Sequence, residues 1–135
     1  MREFLLSIVS PERTVLEERV VQVRLPGAEG SFGVMAGHVP MVAELQYGVG
    51  EYRRADGVSR KFTIFGGFAE VLPDRTIVLA DGAELADEID PDRARVALRK
   101  ALEVLQNPLS EEELAEARMA VERAKTQLRA LGEQV

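Results

Sequence analysis

The sequence predicts an α+β chain, an antiparallel β-sandwich or barrel followed by a two-helix antiparallel hairpin. Two observations carry this expectation. Up to about residue 85, short apolar segments are broken by turn residues at roughly eight- to twelve-residue intervals, with no helix-length pattern among them. After Ile89 the apolar period becomes helical. The change of period divides the chain into a β domain at residues 1–86 and a helical domain at 87–135.

The strands follow in order. "FLLSIV" is a short apolar run closed by Ser10-Pro11. "VVQVRL" alternates, placing Val21, Val23 and Leu25 on one face and Gln22 and Arg24 on the other. "SFGVM", "VPMVAEL", "GVGEYRR", "SRKFTIF", "GFAEVL" and "DRTIVLAD" come next. "RRADGVSR" reads as a hairpin with Asp56-Gly57 as its turn pair.

The helices follow. Asp90 is a good N-cap, and Pro91 suits the first turn because its missing N–H would be unpaired there anyway. Ala94, Ala97, Leu98, Ala101 and Leu105 form one apolar stripe. Asn107-Pro108 ends that helix, and Ser110 with Glu113 forms a capping box for the next. Leu114, Ala117, Val121, Ala124, Leu128 and Leu131 then keep an a/d seam, with Gly132 at the C′ position. Leu114, Val121 and Leu128 are expected to face the first helix. The seam is rich in alanine and contributes little burial, so this hairpin is marginal alone and could move between partners.

Composition excludes several functions. The 135 residues carry a net charge of −6, which argues against nucleic acid as a partner. There is no cysteine, so thiolate chemistry and disulfides are excluded. No apolar run approaches the roughly 20 residues of a membrane span, so no direct membrane insertion is expected. The apolar stretch of "MREFLLSIVS" is too short for a signal peptide.

The segment "GAEGSFGVMAGHVPMV", Gly27 to Val42, holds four glycines and His38, the single histidine. Glycines at this density mark turns or close backbone approach. The segment lacks the lysine and parallel-strand setting of a phosphate loop. No HExxH, Walker motif or Cys/His metal set occurs, and no recognisable acid partners His38. A contact role in a loop therefore outweighs catalysis. In the helical region the bases cluster as Arg93, Arg95, Arg99 and Lys100, then Arg118, Arg123, Lys125 and Arg129. They read either as solvated faces, with Arg95 and Arg99 left repelling, or as sites for an acidic partner or a phosphate.

"IVSPERTVLEERVVQVRLPGAEGSFGVMAGHVPMV", with "FGGFAEVLPDRTIVLAD" and "IDPDRA", closely resembles the epsilon subunit of bacterial F-type ATP synthases over essentially the whole chain. The resemblance implies a ten-stranded flattened β-sandwich, a C-terminal two-helix domain and no catalysis by this chain. It implies a rotor subunit in the central stalk of a proton-translocating enzyme, bound to the gamma subunit and the c-ring, peripheral to the cytoplasmic side of the cell membrane. Glu29, Gly30, Ser31 and His38 are the expected interface residues. Ser31 stands where the family often has an acid, leaving Glu29 as the nearest carboxylate.

"IDPDRA" resembles the motif through which some bacterial epsilon subunits bind ATP without hydrolysing it. This implies regulatory ATP, with no cofactor required, at Glu84, Ile89, Asp90, Arg93, Ala94, Lys100 and Arg123. Lys100 replaces an expected arginine, and Gln127 stands where a further arginine is expected. In an extended hairpin, Arg118, Arg123, Lys125 and Arg129 are expected to meet the acidic loop of the beta subunit and inhibit ATP hydrolysis. The alternative is a free-standing nucleotide-sensing adaptor, with an enzyme third.

Overall fold

The structure is a computed structural model that describes residues 2–135. The chain divides into two compact units, Met1–Ala86 and Asp87–Val135.

The first unit contains β1 (Phe4–Val9), β2 (Thr14–Val20), β3 (Gln22–Gly27), β4 (Gly30–Val34), β5 (Met41–Arg53), β6 (Ser59–Leu72), β7 (Arg75–Ala80) and β8 (Ala83–Leu85). Their pairing order is β2-β1-β7-β6-β5-β3-β4, with β8 on β6. "VPMVAEL" and "GVGEYRR" are one continuous strand, and so are "SRKFTIF" and "GFAEVL". These two long strands pair from Met41↔Val71 to Arg53↔Ser59 without a register shift.

The long pair makes a sandwich by changing its inward face midway. In β5, Leu45 points into the core near one end, whereas Gly50 and Tyr52 do so near the other. In β6, Phe62 and Ile64 are inward before the change, and Ala69 and Val71 after it. Odd positions thus replace even ones across Phe65 to Gly67, the phase flip expected where a strand turns from one layer into the next. The first halves of β6 and last residues of β5 join β8, β3 and β4. The other halves join β7, β1 and β2. Eight continuous strands therefore supply the ten strand passages that the resemblance implies, because β5 and β6 serve both layers.

Gly67 is the residue this corner requires. Its φ is +130°, and a Cβ there would stand 2.2 Å from the Leu79 carbonyl oxygen. Between the layers lies a single core of Phe4, Leu6, Ile8, Val23, Leu25, Val34, Leu45, Tyr52, Phe62, Ile64, Val71 and Val78. At the tip of the β5–β6 hairpin, Asp56 accepts from the Val58 amide at 3.1 Å, and Gly57 has φ +87°, as the Asp-Gly pair foretells.

One pairing departs from the antiparallel pattern. β1 lies parallel to β7, with Leu5 opposite Arg75 and Val9 opposite Leu79. A period of two reports burial, not strand direction, so the sequence pattern is silent on this point. A parallel pair needs a long crossover, and here the strands from β2 to β6 supply it.

The second unit holds α1 (Pro91–Gln106) and α2 (Glu111–Ala130). Ser110 Oγ accepts from the Glu113 amide at 3.0 Å. The return arm of the expected capping box goes one residue further back, where Glu113 Oε1 accepts from the Leu109 amide at 3.4 Å. Ala117, Val121, Ala124 and Leu128 are buried along α2 as the seam predicts. On α1 only Ala94 and Ala101 are buried, and Ala97, expected in the stripe, is exposed. It lies three residues from Ala94 and is rotated off the narrow contact line. Thr126 is buried without having been expected, its hydroxyl donating to the Glu122 carbonyl at 2.7 Å.

Two substitutions test the sandwich from opposite sides. Thr76 is fully buried, and its hydroxyl has no hydrogen-bond partner among the described residues. Thr76→Val should stabilise the sandwich by about 1 kcal/mol, by removing that unsatisfied group without changing shape. Gly67→Ala should destabilise it by more than about 2 kcal/mol through the close carbonyl and the positive φ. Urea unfolding of the three proteins reads both effects, and unchanged midpoints would contradict this description of the core and the corner.

Candidate functional site

The glycine-rich segment is a β-hairpin and a turn, not a phosphate cradle. Gly27 and Gly30 face each other across the two-residue connection between β3 and β4. Gly33 is an ordinary strand residue with room for a side chain, while Gly37 has φ +85° in the turn toward β5. The Gly37 amide donates to the Pro73 carbonyl at 2.7 Å, which ties this turn to the loop before β7.

Of the four expected interface residues, three come together. Glu29, Gly30 and Ser31 are exposed and line one side of an open cleft of about 500 Å³. Its other side is Met41, Val42, Ala43 and Glu44. Glu44 adds a second exposed carboxylate that the sequence reading had not singled out. His38 is outside this lining, in the neighbouring turn. Its Nδ1 donates to the Val39 carbonyl at 2.7 Å, since a carbonyl can only accept. Among the described residues no carboxylate is bonded to that ring.

Beside the cleft, the outer face of one layer carries an apolar row among charged neighbours such as Glu44 and Glu70. β1, β7 and β6 place Val9, Leu79 and Phe68 in one cross-strand row, with Phe68 opposite Glu44 of β5. Leu79 is 58% exposed and Phe68 54%. In the adjoining turn and strand start, Met35, Val39 and Val42 are exposed as well. Scattered apolar residues are normal on a surface, but exposed neighbours on adjacent strands, such as Phe68 and Leu79, make this face a candidate for interaction.

The residues of the nucleotide motif are divided between the units. Glu84 lies in β8, half-buried, its amide donating to Thr63 Oγ1 at 3.1 Å. Ile89 and Ala94 are buried and cannot offer polar groups from their side chains. Asp90 caps α1, accepting from the Asp92 amide at 3.0 Å and the Arg93 amide at 3.2 Å. The Ala94 amide donates to the Asp90 carbonyl, and Pro91 has no N–H. The first-turn amides of this helix are therefore occupied and not free to meet a phosphate.

Side chains remain as phosphate partners. Arg93 and Lys100 are exposed and seven residues apart, hence on one face of α1. Arg123 is exposed on α2 and already makes polar interactions within the protein. The donor set fits an anionic ligand through guanidinium and ammonium groups, without help from the helix end. Among the four bases of α2, Arg118, Lys125 and Arg129 share a face at spacings of seven and eleven, while Arg123 lies to the other side of the seam. Arg129 donates to the Val135 carbonyl at 3.1 Å.

Arg95, which the sequence left repelling Arg99, is paired instead. It donates to Glu133 through Nε at 3.2 Å and Nη2 at 2.6 Å, and to Asp92 through Nη1 at 2.9 Å. These carboxylates raise its pKa above the usual arginine value, Glu133 most strongly. The only sequence signal for the pairing was the Gly132 turn that precedes Glu133.

A β-sandwich with an outer apolar row and an open cleft beside it, followed by a short helical hairpin, defines a two-unit chain of a sandwich with an appended helical element. The described residues hold no cluster of His, Cys, Asp and Glu that could take a metal, and none of their helices is long and apolar enough to cross a membrane. Residues 3–86 match the family described as ATP synthase, Delta/Epsilon chain, beta-sandwich domain, and residues 87–132 match its long alpha-helix domain. The chain belongs to this family of ATP synthase subunits.

Relatives agree. The ATP synthase epsilon chain of Herpetosiphon aurantiacus is 45% identical over 123 residues, covering 91% of this chain and 90% of that one. The epsilon chain of Symbiobacterium thermophilum is 42% identical over 133 residues, covering 98% and 95%. A chain of the Euglena gracilis mitochondrial ATP synthase, seen in an assembly of OSCP, F1 and c-ring, superposes with a TM-score of 0.84 at 27% identity, covering 96% of this chain and 81% of that one. The free-standing adaptor gives way to a subunit of ATP synthase.

The capping role of Asp90 is testable apart from any ligand. Asp90→Ala should destabilise the helical unit by about 1 kcal/mol through loss of the two amide bonds, while Asp90→Asn should lose much less. Thermal unfolding followed at the helical circular-dichroism band measures this, and equal losses from both would contradict capping as the role of this side chain.

Proposed function

We propose that this chain is the rotor subunit that joins gamma to the c-ring in the central stalk of a proton-translocating ATP synthase, and that its helical hairpin restrains ATP hydrolysis. The observation that carries the docking half is the exposed pair Leu79 and Phe68, continued by half-buried Val9, beside the cleft of Glu29, Gly30 and Ser31. Gamma covers the apolar face, and polar loops of the c-ring meet the cleft and the turn at His38. The chain then sits peripherally on the cytoplasmic side of the membrane without entering it.

The regulatory half is supported by weak packing and by exposed charge. A seam with only two buried alanines on α1 leaves closed and extended hairpins close in free energy. Extension releases Arg118, Lys125 and Arg129, with Arg123, toward the acidic loop of the beta subunit. ATP held by Arg93 and Lys100, with Asp90, Ile89, Ala94 and Arg123 around it, favours the closed form to the extent that it binds that form better. This chain hydrolyses nothing in that role.

Two variants separate the halves. Phe68→Asp should weaken co-purification with gamma and the c-ring at least tenfold, by placing a charge in a desolvated face. Removal of residues 90–135 should leave co-purification nearly unchanged and raise steady-state hydrolysis by the assembled enzyme. Arg93→Ala should increase inhibition at intermediate ATP. Loss of assembly on truncation would make the helices the anchor, and equal hydrolysis at every ATP concentration would remove the regulatory role.

A further inference from the structure

We propose that Arg95 and Glu133 form a salt-sensitive latch that holds the helical hairpin closed. Their side chains meet across 38 residues of sequence, joining the first turns of α1 to the tail beyond α2. Glu133 takes the Nε–Nη2 edge of the guanidinium with both of its carboxylate oxygens, the two-pronged geometry that makes arginine–carboxylate pairs directional. Asp92, on the turn capped by Asp90, holds the same guanidinium from the other side.

The tail is built to deliver Glu133 to this place. After Leu131 the chain turns back at Gly132, whose φ is +87°. The Gly132 amide donates to the Arg129 carbonyl at 2.9 Å, and the Glu133 amide to the Leu128 carbonyl at 3.0 Å. This is the Schellman closure of a helix, and it fixes the direction in which residue 133 leaves. Val135 continues along α1, where it lines a groove of about 380 Å³ with Leu98, Leu102 and Leu128.

An exposed ion pair ordinarily adds little. Here it acts on a weak opponent. Ala94 and Ala101 are the only fully buried residues that α1 brings to the seam, so apolar contact does not dominate closure. The pair also sits at the end farthest from the connecting loop, where opening moves the helices apart most. An extended hairpin cannot keep it. Its consequence for hydrolysis rests on the regulatory reading above, whereas its effect on closure does not.

Hydrogen exchange on the isolated full-length chain tests the latch. Amides of 121–130 should exchange about three-fold faster in Glu133→Gln, as expected for loss of a well-aligned surface pair. Arg95→Gln should match it, and the double variant should be no faster than either single. Sodium chloride at about 1 M should accelerate the unaltered chain to the same rate and leave Glu133→Gln unaffected. Gly132→Ala, which keeps both charges but disfavours the turn, should also accelerate exchange. Unchanged exchange, salt insensitivity, or additive single effects would overturn the latch. Faster exchange with no change in hydrolysis by the assembled complex would leave the latch standing and remove the inhibitory role of the hairpin.

Discussion

The pairing of β5 with β6 in one constant register is the constraint on which the sandwich depends. Every other strand of the unit attaches to this long pair directly or through intervening strands. Because the register holds through the corner, both strands must exchange inward and outward faces at the same level. Gly67 makes the turn sterically possible, and one core then fills the space between layers. The corner also decides what is outside. With Ala69 and Val71 turned inward, Phe68 must face out, beside Leu79 of the next strand. The candidate docking face is thus a direct consequence of how the core is closed.

The helical unit follows a different energetic logic. Its ends are defined by local hydrogen bonds: Asp90 and Ser110 at the starts, Gly132 and Glu133 at the finish. Its middle is held by small residues that allow close approach and remove little apolar surface from water. Strong ends and a weak seam suit helices that keep their own structure while separating from one another. The first-turn amides of α1 are consumed by its cap, so sensitivity of this region to an anion must come from arginine and lysine side chains.

Much of this was legible in the residues. The Asp56-Gly57 turn, the helix caps, the Gly132 stop and the α2 seam all have local causes, and each was found where the spacing put it. The features missed are those whose causes are distant. Nothing in "FLLSIV" states that it runs parallel to "RTIVLA", because alternation encodes a buried face and not a partner. Two long strands looked like four because the glycines at their corner resemble turn signals. Asp90 was read correctly as a cap, yet a cap and a phosphate cannot both take the same amides, and the structure assigns them to Asp90. Arg95 was matched with its neighbour Arg99, when its partners are Asp92 and a carboxylate 38 residues away.

The central claim is a division of labour: the sandwich anchors and the hairpin stays available. Two methionines report on it, because Met35 in the turn with His38 and Met119 on α2 are similarly exposed, at 52% and 55%. Oxidation of each can be timed by mass spectrometry in the free chain and in the assembled enzyme at saturating ATP. The account predicts that assembly slows oxidation of Met35 strongly and leaves Met119 close to its free rate. Protection of Met119 with Met35 still fully reactive would contradict it.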